Sequence, residues 1–153
     1  MTASDGPLIL RSVLAALVAT VGRILRREDH ALIEAARETL RRGYDRRHHT
    51  VGAAVRMRSG AIYRGLNIEG IHAPCAEPIA LGAALTAGDR EIETMVAVCR
   101  RGKEYPVLSP CGNCRQMLFD YAPNAFVLVR VANTRVVRLR ASESLPGAPW
   151  AFE

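Results

Sequence analysis

At 153 residues and 49% hydrophobic content, the chain has the size and apolar fraction of one compact domain with a core of its own, and two domains are not expected. Its formal charge of +6 points toward nucleic acid, but the excess is local: eleven basic and six acidic residues lie between Met1 and Arg58, against ten and nine in the remainder. Nucleic acid is therefore not the expected partner.

The first predicted element is a helix carrying Leu10, Val13, Leu14, Leu17, Val21, Ile24 and Leu25 on one face. Arg11 and Arg23 bound a stretch too short to span a bilayer, so no transmembrane helix is expected. Val13 to Val21 resembles the apolar region of a signal peptide, but Asp5 and the lack of basic residues before Arg11 argue against one. A second helix is predicted from His30 to Arg42, with Leu32, Ile33, Ala36 and Leu40 inward and a stop at Gly43. Strands follow over Val51 to Met57 and Ile62 to Asn67, joined by a hairpin turn at Ser59 and Gly60.

A third helix begins at Cys75, tolerates Pro78 in its first turn and ends near Gly88, with Ile79, Leu81, Ala84 and Leu85 along it. Thr94 to Cys99 reads as a buried strand, Gly112 to Tyr121 as a helix, and Phe126 to Val131 and Arg135 to Leu139 as two more strands. This order predicts an α/β fold: a mixed sheet of about five strands with helices on both faces. An N-terminal helical extension over 1–28 would precede a catalytic domain over 29–153. Trp150 and Phe152 in the proline-rich tail suggest that it docks.

The chemistry lies in two short motifs. Cys75-Ala76-Glu77 stands at one helix start and Pro110-Cys111-Gly112-Asn113-Cys114 at another. The C-x-x-C suits a metal better than a disulfide and favours a reducing, cytoplasmic setting. Three thiolates leave the fourth corner of a zinc tetrahedron open for water, as in a catalytic site, and a glutamate two residues from a ligand can reach that water as a proton shuttle. The thiolate charge needs an offset, for which the two helix N-termini and the Arg115 guanidinium are the candidates. Cys99, on an apolar strand, reads as packing, although it could complete a four-cysteine structural site.

Cys75-Ala76-Glu77 with Ser109-Pro110-Cys111-Gly112-Asn113-Cys114-Arg115-Gln116 resembles the cytidine deaminase family, including its blasticidin S deaminase relatives, from about Asp29 to the C-terminus. The resemblance implies a three-layer fold, one zinc per chain on Cys75, Cys111 and Cys114, and Glu77 as proton shuttle. It also implies that the Ala76 amide binds the base carbonyl, that the Ser109 carbonyl receives the amine, and that Asn67 and Glu69 hold the ribose. A cytoplasmic homotetramer in pyrimidine salvage is implied as well, with the aromatic tail closing a neighbour's pocket.

Blasticidin S deaminases lack the glutamate found at Glu69, which favours an unmodified ribose. Other departures pull the opposite way: His49 stands where an aromatic residue packs on the base, Gly70 where an asparagine is usual, and Pro78 where an arginine often follows Cys-Ala-Glu. The loop from Asn67 to Cys75 is also short. His49 and His72 could line the pocket or lie on the surface.

The expected activity is hydrolysis of cytidine or 2′-deoxycytidine to the uridine compound and ammonia. A deaminase of a modified nucleoside such as blasticidin S is the nearest alternative. A polynucleotide-editing deaminase and a non-catalytic zinc-stabilised nucleic-acid-binding domain are more distant ones.

Overall fold

The computed structural model describes residues 22–131 and 135–145. Residues 1–21 of the predicted leading helix, and Trp150 and Phe152, lie outside the described residues. The expected end of that helix is not helical: residues 22–26 lack helical structure, Ile24 is exposed, and the Arg23 backbone pairs with Arg138 at 3.0 and 2.9 Å, which commits this stretch to the sheet edge. Helix α1 (Arg27–Gly43) begins three residues earlier than the periodicity predicts, because its first turn is polar: Glu28 and Asp29 face the helix start, and Arg41 and Arg42 its end. Next come β1 (Val51–Met57), β2 (Ile62–Leu66) and α2 (Ala76–Thr86). Then follow β3 (Ile92–Cys99), β4 (Val107–Leu108), α3 (Gly112–Tyr121), β5 (Phe126–Arg130), β6 (Val136–Arg140) and the short α4 (Ala141–Ser144).

The sheet runs β2-β1-β3-β5-β6, with β4 paired to β3. Only the β3–β5 pair is parallel, so the sheet is mixed, as expected. The two-residue β4 has no period of its own to read, and sequence reasoning missed it.

Alternation along the strands builds two cores. Ala53, Val55 and Met57 of β1, Met95 and Ala97 of β3, and Val127 and Val129 of β5 face one side with Ala76, Ala80, Leu81 and Ala84 of α2 and Leu118 of α3. Ala54, Val96, Val98 and Leu128 face the other side, beneath Leu32, Ile33, Ala36 and Leu40 of α1. The result is three layers. Among the described residues, no helix is long and apolar enough to cross a membrane.

Register decides where the motifs meet. Leu66 pairs with Gly52, Gly52 with Val98, and Val98 with Val107, forming one transverse line across four strands. The chain therefore leaves β2 toward α2, and enters β4 toward α3, at the same end of the sheet. Gly65 sets how closely α2 lies on β2. A Cβ there would stand 2.5 Å from the Ala80 nitrogen and 2.6 Å from the Ala76 oxygen, both backbone atoms of α2. Gly65→Ala is expected to displace the first turn of α2 and lower both zinc content and turnover, measured by metal analysis beside activity.

A buried charge cluster links α1 to the sheet. Asp29 is fully buried, and its carboxylate lies 3.1 Å from Nη2 of Arg56 and 3.1 Å from Nε of Arg138. It also accepts from the Arg26 amide at 2.8 Å. Arg56 further donates to Glu93, to the Glu28 carbonyl and to Thr94. The Arg138 guanidinium stacks over Phe126 at 4.0 Å, and burial pulls its pKa down while Asp29 opposes that. Removing one partner from such a cluster strands buried charge. Asp29→Ala is expected to lower unfolding stability by about 3–5 kcal/mol in denaturant titrations.

Candidate metal and active site

Cys75 and Cys111 occupy N-cap positions of α2 and α3, with extended backbone at both. Pro78 falls in the first turn of α2, where backbone amides have no helical acceptor, so the ring costs little. At α3 the Cys111 sulfur replaces the usual capping oxygen and accepts from the Cys114 amide at 3.5 Å. Each helix thus turns its positive end toward sulfur.

The three sulfur atoms of Cys75, Cys111 and Cys114 lie within 4.8 Å of one another. Cys75 and Cys111 are 3.7 Å apart. A tetrahedral centre with metal–sulfur bonds of about 2.3 Å has edges of about 3.8 Å, so the spacing fits zinc. Cys114 is buried, Cys75 half-buried and Cys111 exposed, which leaves the cluster open on one side. Cys99 lies at the end of β3, outside the cluster.

Electrostatics describe the same fit. Burial, followed by the charges of Glu77, Cys111 and Cys75, pushes the Cys114 thiol far up. Burial and the Cys111 thiol raise Cys75. Burial also opposes ionisation of Cys111, but the amides of Cys114 and Asn113 and the neighbouring thiols outweigh it and hold Cys111 low. Three thiols this close cannot all ionise unaided; a divalent cation removes that obstacle. Glu77 is 4% exposed in the first turn of α2, and burial raises its carboxyl above the ordinary range.

Asn67, at the end of β2, is buried and almost saturated. Its Oδ1 accepts from the Thr50 and Val51 amides at 2.8 Å each, and its Nδ2 donates to Oε1 of Glu69 at 2.9 Å. Its amide donates to the Val51 carbonyl, and its carbonyl lies 2.7 Å from Nδ1 of His49. Only one Nδ2 hydrogen remains for a ligand. Thr50, which sequence reasoning missed, adds its hydroxyl to Oε1 of Glu69 at 3.4 Å. Nothing in the local sequence around Thr50 announces this; the pairing of the β1 and β2 ends does.

The hydroxyl of Ser109 donates to the Arg130 carbonyl and accepts from the Arg130 amide, tying the approach to Cys111 onto β5. Ala76 is fully buried at the start of α2. Arg115 donates from Nε to the Pro110 carbonyl and from Nη1 to the Ser144 carbonyl, each at 2.9 Å, so its guanidinium is engaged by the chain before Cys111 and by α4. His72 is exposed on the 67–75 loop. A groove of about 820 Å³, lined in part by His30, Arg37, Tyr105 and Val107, lies on the α1 side of the sheet and is not this site.

An α/β/α sandwich with an open three-thiol zinc centre and a buried glutamate beside it defines a zinc-dependent aminohydrolase. Residues 26–130 match the cytidine and deoxycytidylate deaminase zinc-binding region, and the chain belongs to that family. It is 37% identical over 127 residues to a blasticidin-S deaminase from Bacillus cereus, covering 78% of this chain and 90% of the relative. It is 36% identical over 103 residues to a cytidine deaminase from Halalkalibacterium halodurans, covering 64% and 75% respectively. The cytidine deaminase structure from Burkholderia pseudomallei superposes with a TM-score of 0.66 at 31% identity, covering 84% of this chain and 100% of that one.

Zinc bound by Cys75, Cys111 and Cys114 predicts opposite results for two serine variants. Cys114→Ser is expected to lose most of the zinc, whereas Cys99→Ser keeps one ion per chain and full activity, both read by metal analysis of purified protein.

Proposed function

We propose that the protein hydrolyses cytidine or 2′-deoxycytidine, converting the exocyclic amine to a carbonyl with release of ammonia. Zinc, when bound, supplies a Lewis acid that makes water nucleophilic near neutral pH. The chain's own residues do the rest. The Glu77 carboxyl takes a proton from the attacking water and hands it to the ring nitrogen. It takes the second proton of that water, which goes to the departing amine, so one water is consumed for each ammonia released.

The Ala76 amide, free of a helical acceptor in the first turn, donates to the base carbonyl. The Ser109 carbonyl, held by the bonds between its hydroxyl and Arg130, accepts from the exocyclic amine. Glu69 and the spare Nδ2 hydrogen of Asn67 take the sugar hydroxyls. Arg115 serves the thiolates by fixing Pro110 and the loop that presents Cys111. In this reading the active form is a homotetramer.

The observation that carries the nucleoside reading is the Glu69 carboxylate, with Oε1 held by Asn67 and Thr50 beside the zinc loop. A second reading, deamination of blasticidin S, draws support from the 37% identity to the Bacillus cereus relative. The two are separated by assaying free cytosine nucleosides and blasticidin S side by side, following loss of cytosine absorbance. Turnover of the nucleosides supports the first reading, and turnover of the antibiotic alone overturns it. Glu77→Gln is expected to keep its zinc and lose roughly 10²–10⁴-fold in kcat on whichever substrate is used.

A further inference from the structure

We propose that His49 is a positioning residue for the sugar end of the site, acting through the Asn67 backbone on Glu69. The inference rests on the reading of Glu69 as a sugar ligand. His49 Nδ1 lies 2.7 Å from the Asn67 carbonyl oxygen. That oxygen can only accept, which assigns the proton to Nδ1 and leaves Nε2 as an acceptor in the neutral ring.

The bond closes a strap between two loops. His49 sits at the end of a turn locked by paired backbone bonds with Asp45, at 3.0 and 2.9 Å, and by the Arg47 amide on the Asp45 carboxylate at 2.7 Å. From this turn, the His48 carbonyl accepts from the Glu69 amide at 3.2 Å. The Asn67 side chain is held by the Thr50 and Val51 amides and spends one Nδ2 hydrogen on Glu69. The 67–68 peptide is thus held from both sides, its N–H donating to the Pro74 carbonyl at 3.2 Å and its carbonyl meeting His49, and its rotation would swing Glu69 two residues on from Asn67.

Glu69 itself is exposed, with Oε1 engaged internally by Asn67 and Thr50. Oε2 is the oxygen left for a ligand, and its position depends on how the 67–69 backbone is held. A phenylalanine at 49 would fill the same space without donating. An asparagine places a donor close to where Nδ1 stands.

The test compares the zinc-loaded parent with His49→Phe, His49→Asn and Glu69→Gln on cytidine and on 2′,3′-dideoxycytidine, which lacks both ring hydroxyls. Loss of one positioning hydrogen bond is expected to raise KM for cytidine about tenfold in His49→Phe, with kcat within about threefold of the parent. The preference for cytidine over the dideoxy compound should shrink by a similar factor, and His49→Asn should restore it. Glu69→Gln should lose the same preference.

If Glu69→Gln loses the preference but His49→Phe keeps both KM and preference, the inference is overturned and the sugar reading stands. If Glu69→Gln keeps the preference, or the parent turns over neither nucleoside, the sugar reading fails and the inference with it. A fall in kcat at unchanged KM in His49→Phe also overturns the positioning role.

Discussion

The structure is organised around a charge problem: three thiols from segments far apart in the chain, Cys75 on one side and Cys111 and Cys114 on the other, brought within 4.8 Å. Burial and mutual repulsion act against ionising them together, and zinc is what makes the ionised cluster stable. For the cluster to exist at all, two helices must begin at one point. The transverse pairing of Leu66, Gly52, Val98 and Val107 provides that, since it puts the exit from β2 and the entry to β4 at the same end of the sheet. Pointing both helix starts at sulfur adds partial positive charge from two directions.

Two side chains close in sequence to the cysteine motifs are engaged internally. Asn67 uses its amide, its carbonyl, its Oδ1 and one Nδ2 hydrogen internally, and Ser109 uses its hydroxyl on Arg130. Groups held in this way are fixed dipoles that need little reorganisation. Glu77 differs in kind. Its burial favours the protonated carboxyl.

The opposite face of the sheet carries a second concentration of charge with another role. Asp29, Arg56 and Arg138 are almost fully enclosed, and their bonds join α1, β1 and β6. Buried ion pairs contribute little net stability once desolvation is counted, yet breaking one is costly. The cluster therefore fixes where α1 sits more than how tightly the protein folds.

The sequence alone determined what local patterns can carry. The 3.6-residue period of α1, the hairpin turn at Ser59 and Gly60, the apolar run of β3 and the two cysteine motifs predicted the helices, the mixed sheet and the zinc chemistry. It could not show β4, whose two residues have no period, or the first turn of α1, whose residues are polar. Nor could it show that Thr50 reaches Glu69, that His49 donates to Asn67, that Arg115 is taken up by two carbonyls, or that Asp29 pairs with two distant arginines. Except for Arg115 and Pro110, five positions apart, those partners lie 18 to 109 positions apart, and which of them meet is set by strand register and layer packing. Periodicity records which face of an element is buried, whereas only the assembled sheet decides what that face meets.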